Sequence, residues 1–317
     1  MSTVSVVLPR PGGPNADDTQ EPIRGPSEAS FVAKFGSLLP LASFLATPNG
    51  RVAYYELKPS PPVPTDQINP ISRVLLVHGV QTSAIGLQPL ASALSSRFAY
   101  THFVLVDLWG HGLTDTPLKV HNSVLFHGLL EAVTANLKWE NAHFLGYSFG
   151  GSTAASFAAV HAERVASMVL VAPAGLMRAA SFNNLQRSYL HGGEGIEEQA
   201  QTWILEFLEG GQLIVPSDWK EKVKRGEVVA EAVRDWQMKE HKGHLASIVG
   251  IFQRRGANGY PKLVCLGELD DVVSEQDLNE VGMQNVVVLP QVGHGVVRDR
   301  VPEVTQLVED FWNKLLW

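Results

Sequence analysis

The sequence predicts an α/β fold: a mostly parallel, doubly wound sheet with an antiparallel hairpin at its N-terminal end and a helical insertion. Three observations predict it. Short, continuous apolar runs recur from Ser72 onward and alternate with helix-like segments, a pattern typical of parallel strands covered on both faces. A Pro-Asn-Gly turn separates two strand-like runs within residues 40–59, as expected for a β-hairpin. After Gly175, nearly 90 residues pass without a core strand.

The predicted core strands are apolar runs that end in glycine or polar residues. They lie at residues 73–80, 103–112, 142–148, 167–175, 262–271 and 285–295. Helices are expected at residues 86–96, 122–138, 149–161 and 302–316. Because the carboxyl ends of parallel strands share one edge of a sheet, the polar residues that follow these strands should meet there.

This pattern divides the chain into three parts. Residues 1–30, rich in Pro and Gly, are expected to form a flexible lead-in. Residues 31–175 and 251–317 are expected to form the α/β core, with a Pro-rich surface loop at 60–70. Residues 176–250 are expected to form a helical cap over the edge of the sheet where α/β proteins bind ligands.

Composition excludes several classes of function. The net charge of −7 and the absence of a basic face argue against a nucleic-acid partner. One cysteine, Cys265, allows no intramolecular disulfide. The N-terminus lacks a signal-peptide pattern, and no run of 18 apolar residues predicts a membrane span. We therefore expect a soluble, cytoplasmic protein with a small-molecule partner, and the oligomeric state stays open.

The segment G-Y-S-F-G places Ser148 between Gly146 and Gly150, after an apolar run and before a helix-like string of small residues. This strand–turn–helix context leaves room for a sharp turn that holds the serine clear of the sheet. A serine hydroxyl is a weak nucleophile and needs a base, which in turn needs an orienting acid. His294, in V-G-H-G after the last strand, is the candidate base.

The candidate acid follows the preceding predicted strand, in G-E-L-D-D. Asp270 comes directly after that strand, with Asp271 and Glu268 as neighbours. Most other histidines have ordinary interpretations. Helix surfaces or solvated helix ends are expected for His121, His127, His161, His241 and His244, and a loop-structuring position for His111.

Four segments, in this order, resemble the motifs of serine α/β-hydrolases with a helical cap. They are H-G-V at 78–80, G-Y-S-F-G-G at 146–151, G-E-L-D-D-V-V at 267–273 and G-H-G at 293–295. The resemblance covers roughly residues 40–317 and points to the group that holds esterases, lipases, lactonases and C–C bond hydrolases. It implies that Ser148 is the nucleophile, His294 the general base and Asp270 the acid. Asp270 rather than Asp271 matches the family's spacing.

The resemblance also implies an oxyanion hole, in which two backbone N–H groups hold the charge that develops in the transition state. The N–H groups of Phe149 and Val80 are the candidates. His78 is expected to brace the loop that carries Val80. Asp107 is expected to tie the neighbouring loop.

The expected reaction is hydrolysis of an ester, thioester or lactone of an apolar small molecule through an acyl-enzyme. Trp203, Phe207 and Trp236 of the cap are candidate pocket residues, and the weakly charged cap favours an apolar substrate. No metal and no cofactor are expected, because no ligand-spaced His/Cys cluster and no nucleotide-binding glycine motif is present. Two alternatives stay open: a C–C bond hydrolase of a diketone-like substrate, and a non-hydrolytic ligand-binding or biosynthetic protein.

Overall fold

The structure, a computed structural model, describes most of the 317-residue chain. The described residues are 6–9, 20–60, 71–176, 182–192, 195–210, 212–252, 262–283 and 285–315. The predicted loop at 60–70 lies almost entirely outside the described residues, as do residues 1–5 and 10–19 of the predicted lead-in.

The described residues form one eight-stranded sheet with the order β1-β2-β4-β3-β5-β6-β7-β8. Its strands are β1 (Ser43–Thr47), β2 (Gly50–Leu57), β3 (Arg73–Val77), β4 (His102–Val106), β5 (Ala142–Tyr147), β6 (Val165–Val171), β7 (Lys262–Gly267) and β8 (Val286–Leu289). The β1–β2 and β2–β4 pairs are antiparallel, and the other neighbouring pairs are parallel. The predicted mostly parallel sheet with an N-terminal hairpin is confirmed.

Helices cover both faces of this sheet. Those of the α/β part are α1 (Glu28–Phe35), α2 (Gln88–Arg97), α3 (Ser123–Asn136), α4 (Phe149–Val160), α10 (Glu275–Glu280), α11 (Val296–Asp299) and α12 (Val301–Lys314). Between β6 and β7 lie five more, which we call the inserted helices: α5 (Asn184–His191), α6 (Glu197–Glu209), α7 (Trp219–Lys224), α8 (Ala230–Glu240) and α9 (His244–Phe252). Short 3₁₀ turns occupy Ala84–Leu87 and Ala162–Arg164.

Two apolar cores explain why the strand sequences are continuously apolar. Successive side chains of a strand point to opposite faces of the sheet, so Val74 and Leu76 enter one core while Leu75 and Val77 enter the other. The first core includes Trp312 of α12 and residues of α2, and the second includes residues of α3 and α4. Because both faces are covered, residues 74–77 of β3 are all apolar and buried, and only Arg73 at the start of the strand is polar.

The end of the predicted lead-in is attached to the α/β core. Ile23 forms an isolated antiparallel bridge with Thr116, and the N–H of Gly25 donates to Asp115 Oδ1 at 2.9 Å. Helix α1 begins directly afterwards, with Ser27 as its N-cap. The expectation of a flexible segment is therefore wrong for residues 20–30, because these contacts with the loop after β4 involve partners distant in sequence.

A sharp turn joins β5 to α4 and holds Ser148 at a φ of 51°. Two glycines make the turn possible. A Cβ on Gly146 would lie 2.5 Å from Gly150 O, and a Cβ on Gly150 would lie 2.1 Å from Val77 O. The backbone of α4 thus packs against the end of β3, as the G-Y-S-F-G spacing predicts.

We predict that Gly150→Ala destabilises the protein, because its methyl group overlaps the Val77 carbonyl. The free energy of unfolding from urea titration should fall by about 1–3 kcal/mol. Gly128→Ala is the matched control: it lies within α3 with nothing within 4 Å of an added Cβ, and should raise stability by about 0.5–1 kcal/mol. Equal effects of the two substitutions would contradict the close packing of α4.

Candidate active site

Three strand ends bring Ser148, His294 and Asp270 together at one edge of the sheet. Ser148 follows β5, Asp270 follows β7, and His294 follows β8. The Ser148 Oγ lies 2.9 Å from His294 Nε2, and His294 Nδ1 lies 3.0 Å and 3.1 Å from the two carboxylate oxygens of Asp270. This is one continuous series of hydrogen bonds from a hydroxyl through an imidazole to a carboxylate.

Backbone groups hold the Asp270 carboxylate in place. Its side chain is fully buried, and Oδ1 accepts from the N–H groups of Val272 at 2.9 Å and Val273 at 3.1 Å. Its neighbours have other positions: Asp271 is exposed and lines the adjacent cavity, and Glu268 accepts from the N–H of Gln291. Of the three acidic residues in this segment, Asp270 is the one that contacts the imidazole.

The residue before Ser148 fixes the histidine loop. Tyr147, at the end of β5, donates its hydroxyl to the backbone carbonyl of His294 at 3.1 Å. The two rings lie 5.4 Å apart. The loop after β8 is therefore held by the same strand that carries the serine, and this limits relative movement of Ser148 and His294.

Val80 and Phe149, the two residues with candidate oxyanion-hole N–H groups, both line the cavity beside Ser148. Phe149 is the first residue of α4, where backbone N–H groups have no acceptor within the helix. Val80 follows Gly79, and a Cβ on Gly79 would lie 2.8 Å from the Cβ of Ser148. The chain before Val80 thus passes directly against the serine.

His78 braces this loop, as predicted. Its Nδ1 donates to Gly79 O at 2.6 Å, and its Nε2 accepts from the N–H of Leu108 at 2.9 Å. Both ring nitrogens are therefore used by a neutral imidazole. Burial lowers the pKa of His78 to about 4, so the ring stays uncharged near neutral pH.

Asp107 ties the neighbouring loops, also as predicted. Its Oδ2 accepts from the Tyr55 hydroxyl at 2.8 Å and from the N–H of Leu113 at 3.0 Å, and its Oδ1 accepts from the N–H of Ala84 at 2.8 Å. Burial raises the pKa of Asp107 to about 6, although these three hydrogen bonds act in the opposite direction. The carboxyl group links β2 to the segments that follow β3 and β4.

Histidines from three segments that are distant in sequence pack together in the interior. We call His78, His111, His241 and His244 the imidazole cluster; all four are buried. The expectation that His241 and His244 are solvated is wrong, because the junction of α8 and α9 lies on the loop after β4. There His241 donates to Thr114 O at 2.7 Å and His244 to Gly110 O at 2.8 Å.

Desolvation keeps the imidazole cluster neutral. Burial, together with the neighbouring His241, lowers the pKa of His244 to about 3. Burial lowers the pKa of His111 well below its usual value, and the nearby His244 and His78 add to the effect. The pKa of His241 is lowered by burial as well.

Two further histidines depart from the predicted helix-surface positions. His121 and His127 are both buried, and His127 Nε2 lies 2.7 Å from Ser156 Oγ on the adjacent helix α4. His161 is partly exposed, 3.5 Å from a carboxylate oxygen of Glu131. Packing of α3 on α4 accounts for the buried position of His127.

A cavity of about 370 Å³ opens over Ser148 and His294. Phe126 and Phe149 line it from the α/β core, and Phe207 and Phe252 line it from the inserted helices. Gln81, Glu209, Arg234, Asp271 and Arg298 add charged and polar groups to the lining. No motif or periodic pattern in the sequence marks these five as binding residues. For Arg298, the position four residues after His294 is the only signal.

Of the three predicted pocket residues, one lines the cavity and two do not. Phe207 lines the cavity. Trp203 does not; it packs behind Phe207, with their ring centroids 5.5 Å apart. Trp236 is buried against Phe31 and another ring of α1, away from the cavity. The expected pocket positions of Trp203 and Trp236 are wrong, because amphipathic helix patterns do not specify which partner an aromatic ring meets.

The residues that the structure describes form neither a metal-binding cluster nor a membrane-spanning helix. They contain no group of three or more His, Cys, Asp or Glu side chains arranged to hold a metal ion. Among the helices that the structure describes, none is both long and apolar enough to cross a membrane.

Comparison with known proteins identifies related sequences. A family model described as alpha/beta hydrolase fold matches residues 72–297. The dihydrolipoyllysine-residue acetyltransferase component of the acetoin cleaving system of Pseudomonas putida is 26% identical over 220 residues, 67% of this chain and 56% of that protein. Monoacylglycerol lipase ABHD6 of Rattus norvegicus is 25% identical over 264 residues, 75% of this chain and 74% of that protein.

Coverage of the relatives is partial. A serine hydrolase-like protein of Homo sapiens is 31% identical over 115 residues, 35% of this chain and 55% of that protein. This match and the Pseudomonas putida match each span a little over half the length of the relative.

Solved structures show the same fold. The enol-lactonase from Burkholderia xenovorans LB400 superposes with a TM-score of 0.62 at 19% identity, covering 86% of this chain and 100% of that chain. The epoxide hydrolase CorEH superposes with a TM-score of 0.64 at 17% identity, covering 87% and 99%.

The imidazole cluster generates a prediction about acid stability. Its four pKa values are lowered in the folded state, whereas histidines titrate near 6.5 when unfolded. Below about pH 6.5 the unfolded chain therefore binds protons that the folded chain does not. The free energy of unfolding should fall as the pH drops from 6.5 towards 4, by up to about 1.4 kcal/mol per pH unit and group.

Two carboxyl groups oppose this trend. Burial raises the pKa of Asp107 and of Glu209, so each takes up a proton in the folded state first and offsets part of the loss. Four imidazoles outweigh two carboxyls, and urea titrations between pH 7 and 4.5 should show a net decrease. His244→Gln should make the free energy of unfolding fall less steeply with pH, because the unfolded chain then takes up about one proton fewer than the native protein's unfolded chain does. Stability that is constant over this range would show that the cluster is not buried as described.

Proposed function

Because the chain belongs to the α/β-hydrolase family, we propose that it is a serine hydrolase. Its substrate is an ester, thioester or lactone of a mainly apolar small molecule, and the reaction passes through an acyl-enzyme on Ser148. The observation that carries the proposal is the series of hydrogen bonds from Ser148 through His294 to Asp270 at the floor of an open cavity.

In the first step, Ser148 Oγ attacks the substrate carbonyl while His294 Nε2 accepts the hydroxyl proton. The buried carboxylate of Asp270 stabilises the resulting imidazolium and fixes the ring through Nδ1–H. His294 then gives the proton to the leaving alcohol, thiol or lactone oxygen. In the second step His294 deprotonates a water molecule that attacks the acyl-enzyme, and the proton returns to Ser148 as the acid leaves.

The N–H groups of Val80 and Phe149 would stabilise the oxyanion of both steps. Support comes from the way Gln81, the residue after Val80, is held at a φ of 73°. Its N–H donates to His111 Nε2 at 3.3 Å, and its carbonyl accepts from Gln237 Nε2 of α8. The peptide that follows Val80 is therefore held from the α/β core and from an inserted helix.

We also propose that residues 176–250 act as the cap, in keeping with the contacts that the described residues among them make over the cavity. The Gln81 side chain donates to Glu209 Oε1 at 2.6 Å, and Glu209 pairs with Arg234 at 3.1 Å. Phe207 and Phe252 add an aromatic wall, with ring centroids 6.0 Å apart. Such a wall suits an apolar acyl or alcohol portion.

The names of relatives are compatible with this reaction. A monoacylglycerol lipase and an enol-lactonase act on esters and lactones. The epoxide hydrolase shares the fold, but family members with that activity use a carboxylate nucleophile at the elbow, where this chain has Ser148. The serine therefore favours acyl transfer over epoxide opening.

We predict that a fluorophosphonate labels the protein once, at Ser148, because activation by His294 and an oxyanion hole are both needed for rapid phosphonylation. Intact mass should show one adduct on the native protein and none on Ser148→Ala. Ser152→Ala is the matched control, since Ser152 lines the same cavity but donates its hydroxyl to Phe149 O; it should still be labelled. A folded native protein without an adduct would refute the serine hydrolase and favour a ligand-binding role.

Gln237 should position the oxyanion loop, and we predict that Gln237→Leu lowers kcat for a labile ester. The expected loss is about 10- to 100-fold, below the roughly 10²- to 10³-fold cost of removing a donor outright. KM should change by less than about threefold, because the defect lies in the transition state. The affinity for a boronic acid, which places an oxygen in the oxyanion hole, should fall in parallel.

The control for this prediction lies on the exposed face of the same helix. Lys239 pairs with Asp235 and its side chain is 67% exposed, so Lys239→Ala should leave both kinetic constants unchanged. A Gln237→Leu protein with normal kcat and normal boronate affinity would show that the loop keeps its conformation without this contact.

A further inference from the structure

Arg298 is a cavity-lining cation placed beside the proposed base. It lies in α11, four residues after His294, and both residues line the cavity. Its side chain is half-buried, and its Cζ stands 5.6 Å from the centre of the Tyr147 ring. The ring under the guanidinium orients the group and leaves its edge available for hydrogen-bond acceptors.

One nitrogen of this guanidinium is buried and unsatisfied in the part of the chain that the structure describes. Its Nη1 is shielded from solvent and has no hydrogen-bond partner, and Arg298 forms no ion pair with a described acidic residue. A partly desolvated cation without an acceptor is costly, because burial removes water and nothing replaces it. An anionic acceptor that enters the cavity would remove this cost.

The other charges around the cavity are already engaged or screened. Arg234 is neutralised by Glu209 at 3.1 Å and by Glu231 at 3.6 Å. Asp270 is used by His294. Asp271 lines the cavity but is exposed, so water screens its negative charge. Among the described cavity-lining residues, Arg298 is thus the cation left to pair with a ligand.

We propose that Arg298 binds a carboxylate of the substrate. The substrate is then a carboxylic acid that carries the ester, thioester or lactone on an otherwise apolar body. This inference rests on the proposed function for the nature of the scissile bond, but not for the binding of the acid. Arginine suits the task because its planar guanidinium donates two parallel N–H hydrogen bonds to a carboxylate.

The position of Arg298 next to His294 limits where the acid group lies. With the reacting carbonyl at Ser148 Oγ and His294 Nε2, which are 2.9 Å apart, the carboxylate lies on the α11 side of the cavity. The aromatic wall formed by Phe207 and Phe252 is contributed by the inserted helices. The carboxylate of the substrate therefore contacts α11, and its apolar portion contacts the inserted helices.

The test compares monomethyl esters of dicarboxylic acids, from succinate to suberate, with the neutral dimethyl esters. Calorimetric titration in a Ser148→Ala background measures binding without turnover. At the best chain length, the monoacid should bind at least tenfold more tightly than the diester. Arg298→Gln in the same background should remove this preference, a loss of about 10- to 100-fold in affinity for the monoacid only.

Two further variants separate a specific contact from a general effect. Arg298→Lys keeps the charge without the fork and should retain part of the preference. Arg225→Gln removes an exposed arginine paired with Glu227 and should leave the preference intact. In the active protein, Arg298→Gln should raise KM for the monoacid by a larger factor than KM for the diester, whereas Arg225→Gln should change neither.

Failure of this inference is distinct from failure of the proposed function. Equal affinities for monoacid and diester at every length, no binding of any monoacid, or a preference that survives Arg298→Gln would each overturn the carboxylate site. Fluorophosphonate labelling decides the nucleophile independently. A labelled enzyme without acid preference leaves a serine hydrolase of neutral esters, and an unlabelled protein with the preference leaves an acid-binding protein.

Discussion

The close approach of α4 to the end of β3 is the constraint on which the site depends. Gly150 lies so near the Val77 carbonyl that no side chain fits between them, and this contact forces the turn in which Ser148 adopts a φ of 51°. The same approach brings Gly79 against Ser148. The serine and the loop carrying Val80 therefore form one rigid unit, whose strain is maintained by the two apolar cores around it.

Behind this unit, buried neutral imidazoles form the hydrogen bonds that water would otherwise make with the loop backbone. Imidazoles suit these positions, because a neutral ring offers one donor and one acceptor and carries no charge to desolvate. His78 joins its own loop to the segment after β4, and His244 joins that segment to α9. The inserted helices are consequently attached to the core through polar contacts at their α8–α9 junction, in addition to the contacts of Gln81 above the cavity.

The predictable parts of the molecule are those encoded locally. Apolar runs specify the strands, and glycines flanking a polar residue at a strand end specify the serine and histidine segments. The burial of His244 is not encoded in this way, since its partner Gly110 is 134 positions away. Trp236 shows the same limit: its helix has an apolar face, but only the assembled fold determines that this face meets α1. Arg298 lies in a helix of four residues, too short for periodicity to predict.

Under the proposed function, the cavity has two sources of substrate selectivity, the aromatic wall and Arg298, and they differ in how easily a substitution can change them. Its aromatic wall comes partly from the inserted helices, whose sequence is free of the elbow's steric demands and can vary in size and shape. Arg298 instead lies four residues after His294 and over the ring of Tyr147. Both of these residues belong to, or support, the hydrogen-bonded series. A substitution in the inserted helices would alter which apolar portion of a substrate the cavity can hold. Under the proposed function, a change at Arg298 would alter the charge beside the reacting carbonyl, so recognition of an acid would be tied to the geometry of the reaction itself.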